Sequence, residues 1–115
     1  MAPAAYGLDV YRGDSEAWPF SLWADRKATA PIDLTGVTAA AQVRAKSDDA
    51  LLAELACTVE LPNFVTVAIT AEQSGALVPG KAARWDLQLT FADASVRTVL
   101  YGGVCVKADV TQGVP

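Results

Sequence analysis

Few of the 115 side chains have the chemistry of a catalyst, and histidine is missing altogether. Its absence removes the usual general base at neutral pH, every Ser-His and Cys-His nucleophile pair, and the commonest metal ligand. Carboxylates are what is left. Asp48-Asp49 is a local pair, and Asp14 and Glu16 flank a turn. Glycoside chemistry needs two carboxylates converging in one cleft, whereas loop solvation alone accounts for these four. The Asp-rich loop lacks the ligand spacing of an EF-hand, so no calcium site is expected. Two cysteines, Cys57 and Cys105, are too few for a zinc site. Gly102-Gly103 has neither the strand-to-helix context nor the lysine of a phosphate-binding loop. The expectation is a protein that is not an enzyme and that uses no metal or cofactor.

Residues suited to contact are easier to find. Arg12-Gly13-Asp14 is the tripeptide that some adhesion receptors read, yet turn chemistry alone explains a glycine and an aspartate at that place. Trp85 and Trp18 fall in phase with apolar neighbours and belong to a core. Trp23 is out of phase with Trp18, Phe20 and Leu22. It either points outward as a contact anchor or is covered by the loop from Ala28 to Ile32. The candidate partner contacts are therefore Arg12, Asp14 and Glu16 in the turn, the outward Trp23, and Asp25 and Arg26 at the start of the loop from Asp25 to Ala30.

The elements that must carry these residues repeat with period two, the mark of half-buried strands. Trp18, Phe20 and Leu22 alternate with Pro19 and Ser21. Val37, Ala39, Ala41 and Val43 form a second series, and Val65, Val67 and Ile69 a third. Trp85, Leu87, Leu89 and Phe91 alternate with Asp86, Gln88 and Thr90, giving one dry face and one wet face. A first strand is expected near Leu8 to Tyr11, and a long last strand follows the Ala92 to Ser95 hairpin. Gly102-Gly103 marks an expected bulge in that last strand. Ala50 to Ala56 also suits a helix, but its continuation through Cys57-Thr58-Val59 favours a strand. Thr70, with Gln73 three residues on, predicts a capped helical turn that Pro79-Gly80 ends. Cys57 falls in phase with Leu51, Leu55 and Val59, which look inward. Cys105 falls in phase with Lys107, so free thiols are expected and not a disulfide.

Composition agrees with one domain over residues 1–115, ending in a loose tail from Thr111 to Pro115. Hydrophobic residues make up 52% and charged residues 19%, enough apolar material for a core. The net charge of -4 and nine scattered basic residues argue against nucleic acid or anionic lipid as partners. No apolar stretch reaches the ~20 residues of a membrane span, and the first residues lack a signal-peptide pattern. Folding in the cytoplasm is expected. The sum is an all-β chain: a two-sheet antiparallel Ig-like sandwich of about seven strands with one short helical turn.

The order of motifs resembles small β-sandwich proteins of tailed bacteriophages. The resemblance rests on VYRGDSEAWPFSLWAD from Val10 to Asp25 and PIDLTGVTAAAQVRAK from Pro31 to Lys46. It continues through ITAEQSGALVPGKAARWDLQLTFAD from Ile69 to Asp93 and LYGGVCVKADVT from Leu100 to Thr111. It covers about nine-tenths of the chain and looks similar to the amino-terminal domain of phage baseplate upper proteins and to stand-alone phage and prophage proteins with the same layout. The resemblance implies a virion protein made in the bacterial host cytoplasm, docking to other virion proteins in a symmetric assembly as a tail or baseplate adaptor. A capsid decoration or head-to-tail joining protein is the alternative, and a host-directed binding protein made during infection is another. The matching motifs specify turns, so no catalytic residue is implied and no small-molecule substrate is expected.

Overall fold

A computed structural model describes residues 3–24 and 29–108. The expected tail from Thr111 to Pro115 and the contact candidates Asp25 and Arg26 lie outside the described residues. Eight strands and one helical turn follow in chain order: β1 (Ala4–Ala5), β2 (Leu8–Tyr11), β3 (Glu16–Ser21), β4 (Thr38–Ala45), β5 (Leu51–Glu60), β6 (Phe64–Ile69), α1 (Ala71–Gly75), β7 (Gly80–Thr90) and β8 (Val96–Lys107). The fold is all-β.

The strands join in the order β1-β8-β7-β4-β5-β6-β3, and β2 also pairs with β8 beyond β1. All pairings are antiparallel except those of β1 and β2, which run parallel to β8. The antiparallel expectation fails there because the first strands lie along the last one in the same direction. The Arg12 to Ser15 turn then carries the chain across to β3 at the other end of the path. β5 serves both halves of the curl. Its first half pairs with β4 up to Ala41–Leu55, and its second half, from Ala56 to Glu60, pairs with β6.

Side chains meet inside this curl. Phe20 of β3 stacks on Trp85 of β7 with ring centroids 6.0 Å apart, and Tyr6 meets Phe20 edge-on at 5.0 Å. Leu8, Val10, Val43, Val65, Val67, Leu87, Leu89 and Val104 fill the centre, all essentially fully buried. Trp18 and Phe20 pack against it at the half-buried rim. The alternation that marked β7 is realised: Ala83, Trp85, Leu87 and Leu89 are buried, while Arg84 and Gln88 are exposed. Each such aliphatic side chain contributes roughly 1.5–3 kcal/mol by leaving water.

Two expectations about phase need correction. Leu51 is exposed, not inward, because the β4–β5 register slips between Val43 and Arg44, which turns both Leu51 and Leu52 to solvent. Gly102 and Gly103 do not form a bulge. They sit in regular register opposite Trp85 and Arg84, and the slips lie to either side, between Gly80 and Ala83 and between Leu87 and Gln88, the second leaving Val99 as the extra residue. Val99 and Leu100 are consequently both buried. Gly102 has a different task. A Cβ there would come within 2.2 Å of the Tyr6 carbonyl oxygen, so only glycine lets the β1–β2 segment lie against β8.

The predicted cap is present in full. The Thr70 hydroxyl accepts from the Gln73 backbone N–H, and the Gln73 side chain accepts from the Thr70 N–H. The Gln73 amide also donates to the Glu54 carbonyl at 2.7 Å, which fastens α1 to β5. At the β5–β6 turn, buried Asn63 donates its amide to the Leu22 carbonyl at 2.9 Å, and the Leu22 N–H returns a bond to Asn63 at 2.8 Å.

Candidate functional site

The four carboxylates considered for catalysis do not form one site. Asp14 and Glu16 lie at the β2–β3 turn, and Asp48 and Asp49 at the β4–β5 turn. Asp48 accepts from the Ala50 N–H at 3.1 Å, which is turn chemistry. Asp49 takes a left-handed φ of 60° and pairs with Arg84 at 2.5 Å. Among the described residues no group of three His, Cys, Asp or Glu side chains is placed to hold a metal ion. Cys57 and Cys105 are free thiols. Burial pushes the Cys57 thiol up from its ordinary value, against a smaller opposing hydrogen bond from Ala41, which keeps the nucleophilic thiolate scarce.

The Arg12-Gly13-Asp14 turn is tied to α1. Gly13 holds φ at +86°, the left-handed region that glycine enters freely. Its N–H donates to the Ser74 hydroxyl at 3.1 Å, and Arg12 Nη2 donates to the Gly75 carbonyl at 3.1 Å. Arg12 and Glu16 are half-buried, while Gly13, Asp14 and Ser15 are exposed. The turn is a clasp on α1, which argues against reading by an adhesion receptor.

Trp23 is half-buried and lies outside the core cluster. It bridges to Pro31, and its indole N–H donates to the Ser21 hydroxyl at 3.1 Å. It thus lies past the end of β3, beside a solvent face that sequence reasoning did not single out. On that face the rows Ala17–Ala68–Ala56, Pro19–Thr66–Thr58 and Ser21–Phe64–Glu60 run across β3, β6 and β5 in register. Glu60 carries the one charge among these nine positions. Phe64 is 45% exposed. Among the described residues β3 pairs on one side alone, and Pro19 within it supplies no N–H to an added strand.

The opposite half of the curl has a polar outer face. A groove of about 640 Å³ runs across β4, β7 and β8, floored by Ala40, Gln42, Arg44, Asp86, Gln88 and Tyr101, with Arg84 and Asp49 at one end. Strand register builds it. Gln42, Asp86 and Tyr101 stand side by side on three strands, and Arg44 stands opposite Arg84. Two like charges directly opposite would repel, and the neighbouring turn relieves this. Arg84 pairs with the Asp49 carboxylate. Arg44 donates to the Asp49 carbonyl at 2.9 Å and to Gln42 Oε1 at 2.8 and 3.1 Å. The bond from Arg84 holds the Asp49 carboxyl below its ordinary value. Asp86 goes the other way: burial raises it, and attraction to Arg84 and Arg44 only partly compensates.

Sequence reasoning missed this groove because alternating Gln, Arg and Asp on a strand read as a plain wet face. The missing signal was the double alternation, Gln42-x-Arg44 on one strand and Arg84-x-Asp86-x-Gln88 on its neighbour. No protein-family model matches the chain, and no relative is found among curated proteins.

Proposed function

We propose that this protein is a non-enzymatic structural component of a tailed-phage particle, a docking or adaptor module of the tail or baseplate. The reading takes the curled sheet as an Ig-like two-layer sandwich in which β5 belongs to both layers. One observation carries it: the outer face of β3, β6 and β5 is built mostly of small side chains and almost uncharged, with Phe64 on it and Trp23 at its rim. Depletion of charge with aromatic enrichment is the composition of an interface core. Ordinary wet sheet faces carry charges, as β4 and β7 do here.

The face is small. Strand spacing and rise give it roughly 200–250 Å², well short of the ~800 Å² per partner of a stable complex. A single copy would therefore hold weakly, and many copies on a symmetric particle would hold by avidity. The occupant this implies is another virion protein presented in a repeated array. Pro19 interrupts the free edge of β3, so docking through side chains of the face is favoured over strand addition.

Quantitative mass spectrometry of purified particles tests the reading, counting copies of this chain per major capsid protein. A low, non-zero ratio supports a tail or baseplate adaptor. A ratio near one would replace it with capsid decoration, and complete absence from particles would remove the virion reading.

A further inference from the structure

The polar groove across β4, β7 and β8 is separate from the docking face and is not used by it. Its volume of about 640 Å³ falls within the range of ligand sites, roughly 300–1,000 Å³, but its lining is polar where such sites are mostly apolar. The charges in that lining balance: Arg44 and Arg84 against Asp49 and Asp86. A phosphate backbone needs an excess of cations, and a cationic ligand would meet two guanidinium groups. The balance selects a neutral ligand.

The free hydrogen-bonding groups say which kind. The Gln42 Oε1 is taken by Arg44, and the Gln42 amide Nε2, with two hydrogens to donate, has no acceptor among the described residues. Directly beside it in register, half-buried Asp86 accepts no hydrogen bond from any described residue. A donor next to an acceptor matches a hydroxyl, which accepts and donates through one oxygen. Next in the same row stands Tyr101, 48% exposed, offering an aromatic face for a ligand's apolar side. Rows of hydroxyls on rings with an apolar face are the chemistry of sugars.

We propose that this groove binds a neutral glycan chain, with Gln42 and Asp86 engaging its hydroxyls and Tyr101 stacking on a sugar ring. Binding here is independent of the docking role, so absence of the chain from virions would leave it untouched. The test is affinity electrophoresis in native gels containing, in turn, glucomannan, xylan, dextran, galactan and glycol chitin. The wild-type chain is run beside Asp86→Ala, Tyr101→Ala and the exposed control Glu72→Ala on α1, with circular dichroism confirming that each variant folds. The expected result is retardation by at least one of these polysaccharides, persisting in about 0.5 M salt. Asp86→Ala and Tyr101→Ala each weaken it about ten-fold or more, and Glu72→Ala leaves it unchanged. Retardation by none of the five overturns the proposal, as does retardation that both groove variants retain. Retardation abolished by salt would mean that charge, and not recognition of hydroxyls, holds the polymer, and overturns it equally.

Discussion

The Ser74 hydroxyl donates to the Asp14 carbonyl across 2.7 Å, joining two residues sixty positions apart. The same hydroxyl accepts from the Gly13 N–H, and Ser74 is fully buried. A single side chain therefore satisfies two backbone groups of the turn that carries the chain from β2 to β3. Ser74→Ala leaves a donor and an acceptor of a part-buried turn without their protein partners. The expected cost is about 1–3 kcal/mol, read as a lower urea midpoint at unchanged slope. An unchanged midpoint would show that the turn holds its shape without α1.

Adjacent glycines in β8 should differ sharply. At Gly102 an added Cβ meets the Tyr6 carbonyl oxygen at 2.2 Å, and the same carbonyl accepts the Trp85 indole N–H at 2.7 Å. Gly102→Ala must push β1 away and break that bond. At Gly103 the nearest atom is the end of the flexible Lys46 side chain, 3.8 Å away. We expect Gly102→Ala to cost about 2–4 kcal/mol, by strain and a lost buried bond together, and Gly103→Ala to stay within about 0.5 kcal/mol. Thermal melts of the two variants side by side decide it. Equal loss at both positions would mean that strand propensity, not the approach of Tyr6, conserves space there.

Which of these features the sequence disclosed follows from the range of the interactions involved. Period two placed β3, β4, β6 and β7, because alternation is a local property of a strand with one dry face. The Thr70–Gln73 cap was legible for the same reason: its two bonds span three residues. The parallel pairing of β2 with β8 was not legible, since Leu8 and Val104 meet only through the whole curl. Nor was the purpose of Gly102, which depends on a backbone segment nearly a hundred residues earlier. The groove was hidden likewise. Gln42 and Asp86 are unremarkable on their own strands, and only the β4–β7 register makes them neighbours.

Acid should act on this protein through two groups of carboxylates with opposite sign. Hydrogen bonds hold Asp33 and Asp93 below their ordinary values, from Thr35 and Ser95 respectively, and Arg84 does the same for Asp49. A folded-state value below the unfolded one contributes stability above the unfolded value, lost as pH falls through the folded one. All three therefore favour unfolding below about pH 4. Asp86 is raised by burial, so its ionisation disfavours the fold and its penalty grows as pH rises through its unfolded and then its folded value. Asp86→Asn should raise the melting temperature at pH 7 and lose that advantage at pH 3. An advantage that is equal at both values would mean packing, not charge, causes it.

Trp23 and Trp85 separate contact from core. Trp85 is 3% exposed, stacks on Phe20 and donates to the Tyr6 carbonyl. Trp85→Ala removes the centre of the packing and should cost about 3–5 kcal/mol, enough to unfold a domain of ordinary stability. Trp23 lies outside the core cluster, and its indole N–H goes to the exposed Ser21. Trp23→Ala should cost less than about 1 kcal/mol while weakening incorporation into particles, because an aromatic at the rim of an almost uncharged face contributes mainly to a partner's burial. Pairing it with Phe64→Ser asks whether the two act as one surface. If both variants fold and both are excluded from particles, the face from β3 to β5 is what docks. Should Trp23→Ala melt as early as Trp85→Ala, the indole is holding the Pro31 segment against β3, and the contact surface must be sought elsewhere.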